Sequence, residues 1–273
     1  MLRLDGKVVF MSGAGSVGDD PDAKVWGNGK ATAVLLARQG AKIYGTDVRL
    51  EAADVTRRII EAEGGTCVTR AVDMTKAKEV EAAVMDCVTQ FGRIDILVNN
   101  VGGSAPGDVV SMSEEVWDRQ IAHNLKTAFL ASKYVVPVME RQGKGAIVNL
   151  ASVAGLRMTP DRAHVAYSTT KGALRLLAKS VALHCGKSGY RIRCNTIHPG
   201  IVDTPLIRGV VAGAPDPVAA QKLFDGIAPL GRVAKADEIA AMVAYLGSDE
   251  AAFVTGAEFI IDGGATAGLP GVA

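Results

Sequence analysis

The sequence predicts an α/β fold: a doubly wound parallel sheet of seven strands with helices on both faces. Short β-branched runs alternate with longer runs of helical periodicity from one end of the chain to the other, the pattern of a sheet covered on both sides. A glycine-rich segment, Ser12-Gly13-Ala14-Gly15-Ser16-Val17-Gly18, follows the first run, where a strand must turn into a helix. The 273 residues are enough for a large core, and open α/β sheets of this size commonly stay undivided, so one domain is expected over residues 1–273.

The strands are expected at 7–12, 41–47, 66–73, 94–99, 145–152, 191–197 and 258–262, each a short run rich in apolar and β-branched residues. The helices between them are expected at 28–39, 51–63, 76–91, 113–139, 163–186 and 236–246, where apolar residues return at three- and four-residue intervals. Residues 209–217 are rich in Gly, Ala and Pro and are expected to be a mobile part of a lid spanning about 204–232.

A net charge of +1 with 22% charged residues leaves no electrostatic footprint for nucleic acid and no polybasic membrane patch, so small neutral or mildly charged ligands are expected. The first residues contain no apolar signal region and no apolar run approaches membrane-spanning length, which predicts a soluble, cytoplasmic protein. Cys67, Cys87, Cys185 and Cys194 are scattered without a CxxC pair, so they are expected to be buried, reduced thiols and no metal site is expected.

Residues 13–18 spell GxGxxG, but Asp19, Asp20, Pro21 and Asp22 follow, and a helix from there to Gln39 would also contain Gly27 and Gly29. The helical pattern resumes only at Ala31, Val34 and Leu35. We therefore place the phosphate-binding turn on Gly13, Gly27, Asn28 and Gly29, with residues 17–26 as an inserted loop. Asp47 then falls eighteen residues after Gly29, near the offset of about 20 expected for a carboxylate that binds a ribose diol. A carboxylate there repels a 2′-phosphate, so NAD is expected over NADP, although Arg49 two positions on softens that preference.

Tyr167 and Lys171 stand one helical turn apart, with Ser152 fifteen residues upstream of Tyr167. A phenol is a poor base near neutral pH because its ordinary pKa is about 10, and an adjacent ammonium favours the phenolate. This pairing beside a dinucleotide turn predicts alcohol/ketone redox chemistry.

Together these segments resemble the short-chain dehydrogenase/reductase family over essentially the whole chain. Asn99-Asn100-Val101-Gly102 is similar to the family's Asn-Asn-Ala-Gly segment, and Asn124 sits where the family has a catalytic asparagine. The run 147–152 resembles its serine-bearing strand, and Tyr167-Ser-Thr-Thr-Lys171 its YxxxK motif. Asp73-Met74 resembles the adenine-binding pair. Asn195 with Pro199, Gly200, Val202 and Thr204 resembles the segment that holds the nicotinamide, and Ile261-Asp262-Gly263-Gly264 the terminal strand. The resemblance implies a Rossmann-type sheet and a catalytic set of Asn124, Ser152, Tyr167 and Lys171. In oxidation the Tyr167 phenolate removes the hydroxyl proton while hydride leaves for nicotinamide C4, Ser152 binds the reacting oxygen, and Lys171 binds the ribose and lowers the tyrosine pKa. Asn124, through its helix backbone or a bound water, connects Lys171 to a proton relay. The resemblance also implies a homotetramer built through helices 113–139 and 163–186.

The chain departs from the family in its long glycine turn and in a Ser152-to-Tyr167 spacing about two residues longer than usual, which reshapes one wall of the substrate cleft. His123 and His164 lie near the motif residues, whereas His184 and His198 have no ligand partners at useful spacing. Trp26 and Trp117 are expected to pack. The expected lining, from Val153, Ala154, Leu156, Met158 and His164 to Val202, Leu206, Ile207 and Phe224, is mainly apolar and fits a hydrophobic or cyclic secondary alcohol or ketone, while Arg157 and Arg162 offer a carboxylate contact. Three other readings are a non-catalytic NAD(P)-binding sensor or scaffold, a 3-oxoacyl-carrier reductase, and a sugar-nucleotide epimerase or dehydratase. The complete catalytic set opposes the first. The NAD-type Asp47 and the lack of a basic patch oppose the second, and the short C-terminal region opposes the third.

Overall fold

The computed structural model describes residues 3–16, 25–157 and 164–268. Strands and helices alternate: β1 (Val8–Ser12), α1 (Asn28–Arg38), β2 (Lys42–Asp47), α2 (Leu50–Ala62), β3 (Thr66–Ala71), α3 (Ala77–Phe91) and β4 (Ile96–Asn99) form the first half. The second half comprises α4 (Glu114–Ile121), α5 (Thr127–Gln142), β5 (Lys144–Leu150), α6 (Val165–Lys187), β6 (Arg191–Pro199), β7 (Val202–Asp203), α7 (Pro205–Ala212), α8 (Pro217–Ile227), β8 (Ala234–Lys235), α9 (Ala236–Gly247) and β9 (Glu258–Ile261).

Seven strands form one parallel sheet in the order β3-β2-β1-β4-β5-β6-β9. The order reverses between β1 and β4, so the loops after these two strands diverge and leave a crevice at their C-terminal ends. Alternation along each strand builds two core layers. Val9, Met11, Ile43, Ile96, Val98 and Val148 face α1 and α9, whereas Val8, Phe10, Tyr44, Leu97 and Ile147 face α3, α5 and α6. All four cysteines are free and buried, and burial pushes the Cys67 and Cys194 thiols up to about 12. Among the described residues no helix is long and apolar enough to cross a membrane.

Two regions differ from the expectation. The helix expected at 113–139 is α4 and α5 joined by a π turn, Ala122–Lys126, which holds Asn124. The segment after β6 forms the β7–β8 pair and helices α7 and α8, elements the expectation did not include, with the stretch 209–217 divided between α7, a turn and the start of α8. Thr204 and Asp216 each accept a bond from the helix's own backbone at the N-cap, and each is followed by a proline at the first helical position.

Candidate active site

The crevice is built around the turn after β1. Gly13 takes a left-handed backbone (φ 71°), and its N–H and that of Ala14 donate to the Thr46 carbonyl at 2.7 and 2.9 Å, pinning the turn to β2. Gly27 N–H donates to Ser16 Oγ at 2.9 Å, and α1 starts at Asn28, so the phosphate-type helix begins after the insertion and not at Gly18. A side chain on Gly29 would overlap the Gly13 carbonyl and lie 2.8 Å from Asn100 Nδ2. Residues 17–24 of the insertion lie outside the described residues.

Asp47, at the end of β2, accepts from the N–H groups of Gly15 and Arg49, both at 3.1 Å, while Arg49 Nη2 donates to the Ser16 carbonyl at 3.0 Å. Asp47, Asp73, Met74, Asn100 and His123 line a cavity of about 430 Å³. Asp73 is braced by Thr75, whose N–H and hydroxyl donate to its Oδ1 at 2.9 and 2.6 Å. Burial holds the His123 imidazole below its ordinary pKa.

The second end of the crevice gathers the other motif residues. Tyr167 and Lys171 project from α6 into a cavity of about 250 Å³ that shares Gly15, Ser16, Asn100 and Gly102 with the first. The Lys171 ammonium is buried 5.7 Å from the Tyr167 ring centroid and donates to the Leu150 carbonyl at 2.7 Å. Ser152 follows β5, and its hydroxyl accepts from Ala154 N–H at 3.1 Å. Asn124 lies behind Lys171: its Oδ1 accepts from Gly103 N–H and its Nδ2 donates to the Gly103 carbonyl, both at 2.9 Å. A Cβ on Gly102 would lie 2.9 Å from Lys171 Nζ and 3.0 Å from Asn124 Oδ1, so the loop, the asparagine and the ammonium are in close packing.

The electrostatics differ from the expectation. Burial raises the Tyr167 phenol above its ordinary pKa, offset in part by a hydrogen bond with Ser152, in place of the depression expected from Lys171. Burial acts on Lys171 as well, and the loss of hydration brings its ammonium down to about 8.

The remaining predicted residues divide into lining and support. Pro199 and Thr204 line the smaller cavity with Gly27, Asn28 and Gly29. Gly200 packs on Asp262, where a Cβ would come within 2.9 Å of its Cα, and Val202 is buried in β7, so both support the wall from behind. Asn99 is buried and donates to Asn149 Oδ1 at 2.8 Å, while its neighbour Asn100 reaches the cavity and donates to the Gly13 carbonyl at 2.8 Å. Asn195 ties β6 to the loop before β9 through Val254 and Ala257. Arg157 points to the Gly268 carbonyl at 2.5 Å, and Met158 and Arg162 lie outside the described residues.

Two residues were missed. Ser104 lines the catalytic-end cavity and pairs with His164 Nδ1 at 2.8 Å. His198, which the spacing of possible ligands left without a partner, is completely buried with Nδ1 3.0 Å from the Ser152 carbonyl. No local pattern announces either contact, since they join residues 60 and 46 positions apart.

A dinucleotide fits these residues. The glycine surfaces leave room for close approach of a pyrophosphate at the start of α1. Among the described residues Asn28 Oδ1 is buried there without a hydrogen-bond partner, an acceptor that a ribose hydroxyl can satisfy.

A family model described as enoyl-(acyl carrier protein) reductase matches residues 23–266. The chain is 38% identical to dehydrogenase/reductase SDR family member 6 of Danio rerio, covering 97% of this chain and 99% of that protein. It is 35% identical to a cyclopentanol dehydrogenase of Comamonas sp., covering 98% and 100%. A crystal structure assigned to the short-chain dehydrogenases/reductases, from Burkholderia xenovorans, superposes with a TM-score of 0.92 at 38% identity, covering 99% of this chain and 100% of that one. With this sheet and this series of motifs, the chain belongs to the short-chain dehydrogenase/reductase family of NAD(P)-dependent oxidoreductases.

Proposed function

We propose that the protein is an NAD-dependent oxidoreductase that interconverts an apolar or cyclic secondary alcohol and the corresponding ketone, with Tyr167 as general acid/base. The observation that carries this reading is the continuity of the two cavities, one lined by Asp47 and the other by Tyr167 and Lys171. The bound dinucleotide supplies the hydride acceptor or donor. In the oxidation direction Tyr167 takes the carbinol proton, and in reduction it returns one to the carbonyl oxygen. Ser152 donates a hydrogen bond to that oxygen and stabilises its developing charge. Lys171, whose ammonium donates to the Leu150 carbonyl here, would hold the ribose hydroxyls. Asn124 holds the loop at 102–103 against Lys171 through its side chain, and the proton path to solvent runs past this pair.

Support for NAD comes from Asp47, whose carboxylate is fixed at the edge of the cavity by two backbone donors. Support for an apolar substrate comes from Leu150, Ala151, Pro205 and Leu206 around Tyr167, and from α7 and α8, which present exposed Val210, Val218 and Leu223 as a lid over 204–232. The name of the cyclopentanol dehydrogenase relative agrees with a cyclic secondary alcohol. The four unpaired thiols agree with a reducing, cytoplasmic setting.

The test is NADH formation over a panel of cyclic and open-chain secondary alcohols, with NADP in parallel. We expect turnover with NAD, and in Tyr167→Phe a loss of roughly 10²- to 10⁴-fold with NAD binding retained. NAD binding without turnover of any alcohol or ketone would favour a sensor, a preference for NADP would remove the role of Asp47, and full activity in Tyr167→Phe would remove the acid/base assignment.

A further inference from the structure

We infer that His198 is a positioning residue for Ser152, with Glu258 holding the far end of the same turn through Arg175: the ring fixes the backbone of the serine turn and so sets where the Ser152 hydroxyl stands relative to Tyr167. The inference rests on the roles proposed above for those two residues.

His198 is on β6 and completely buried. Its Nδ1 lies 3.0 Å from the Ser152 carbonyl oxygen, and its Nε2 lies 3.0 Å from Thr196 Oγ1 and 3.9 Å from Glu258 Oε2. A carbonyl can only accept, so Nδ1 carries a proton, and in the neutral ring Nε2 accepts from the Thr196 hydroxyl. Burial holds the imidazole below its ordinary pKa, with Glu258 raising it and Arg175 and Lys179 lowering it, so the neutral tautomer is the form present near pH 7.

The ring does not act alone. Arg175 Nε donates to Glu258 Oε2 at 2.6 Å, Lys179 pairs with Glu258 Oε1, and Arg175 Nη1 donates to the Gly155 carbonyl at 3.3 Å. The carbonyls of Ser152 and Gly155, at the two ends of the same short turn, therefore both accept from side chains, the first from His198 and the second from Arg175, which Glu258 anchors. Tyr167, Lys171, Arg175 and Lys179 follow at four-residue intervals along one stripe of α6. The first two face the cavity and the last two hold the clamp. A Cβ on Gly155 would lie 2.5 Å from the Lys171 backbone, so the turn already rests directly on the helix that presents Tyr167. An apolar residue at 198 would fill the same space; what the imidazole adds is a donor aimed at the Ser152 carbonyl.

The test compares His198→Leu with His198→Asn, whose side-chain amide places a donor near the position of Nδ1. In His198→Leu we expect kcat for alcohol oxidation to fall roughly 10- to 100-fold through misplacement of the serine, with the dinucleotide Kd unchanged within about twofold. The acid limb of the pH–rate profile should also move to higher pH, because the Ser152 hydrogen bond lowers the Tyr167 pKa. His198→Asn should restore most of kcat and return the limb. A folded His198→Leu with parental kcat and limb overturns the proposal, as does an asparagine variant no better than leucine. Should His198→Leu not fold, Glu258→Gln carries the test: the same limb shift with a smaller loss supports the clamp, and an unmoved limb overturns it. Unchanged turnover in Ser152→Ala would instead overturn the role of the serine itself, and the proposal with it.

Discussion

Lys171 holds its charge in a place that disfavours it. Its ammonium is buried and donates to the Leu150 carbonyl, and its pKa is brought down to about 8 from an ordinary 10.5. Between these values the unfolded chain binds the proton more tightly than the folded one, so stability rises with pH across the window and the contribution is already at its least favourable below pH 8. In the unliganded protein we expect the difference in Tm between the parent and Lys171→Met to shift in favour of the parent from pH 8 to about 10, above which ordinary tyrosines titrate. A difference independent of pH would show that Lys171 is not desolvated. At this scale the sequence was legible wherever residues sit at a short spacing: Tyr167 and Lys171, one helical turn apart, line one cavity at one end of the crevice. It was silent on the bonds of the Asn124 side chain to Gly103 and of His198 to Ser152, because those contacts depend on which loops a fold brings together. The phenol's pKa was misread for a related reason, since spacing gives a charge its neighbour but not its dielectric surroundings.

Among the elements, α1 and its turn carry the sharpest requirement. Gly29 faces the Gly13 carbonyl with no space for a Cβ, so Gly29→Ala must push the turn away from the helix start that attracts a pyrophosphate. We expect dinucleotide affinity to fall at least about tenfold while the folded far-ultraviolet spectrum is kept, measured by fluorescence titration; an unaltered Kd would remove the turn from the binding site. The placement of this helix at Asn28 was readable because three acidic residues, a proline and two glycines cannot share one helical run. The helices α7 and α8 were not read, although Thr204-Pro205 and Asp216-Pro217 are start signals, because their glycine- and alanine-rich composition resembles a loop. The π turn at Asn124 left no trace at all in composition, since it changes the hydrogen-bond partner of the backbone and not the choice of residues.

For the whole molecule, the doubly wound sheet was legible from periodicity alone, and its strand order places the reversal beside the glycine turn. Association is a separate matter. Phe129 on α5 and Leu176 and Leu183 on α6 are exposed, an apolar face on the two helices for which we propose a homotetramer. Leu176→Glu combined with Leu183→Glu should therefore lower the mass seen by sedimentation velocity to that of dimers or monomers; a parent that sediments as a monomer would refute the assembly. A last consequence follows from the bond between Ser16 and Gly27. It ties Ser16, in the turn after β1, to the residue before α1, so the two ends that frame the turn are anchored to each other whatever length of sequence separates them. Evolution can therefore vary that length without tugging on the strand and the helix on either side.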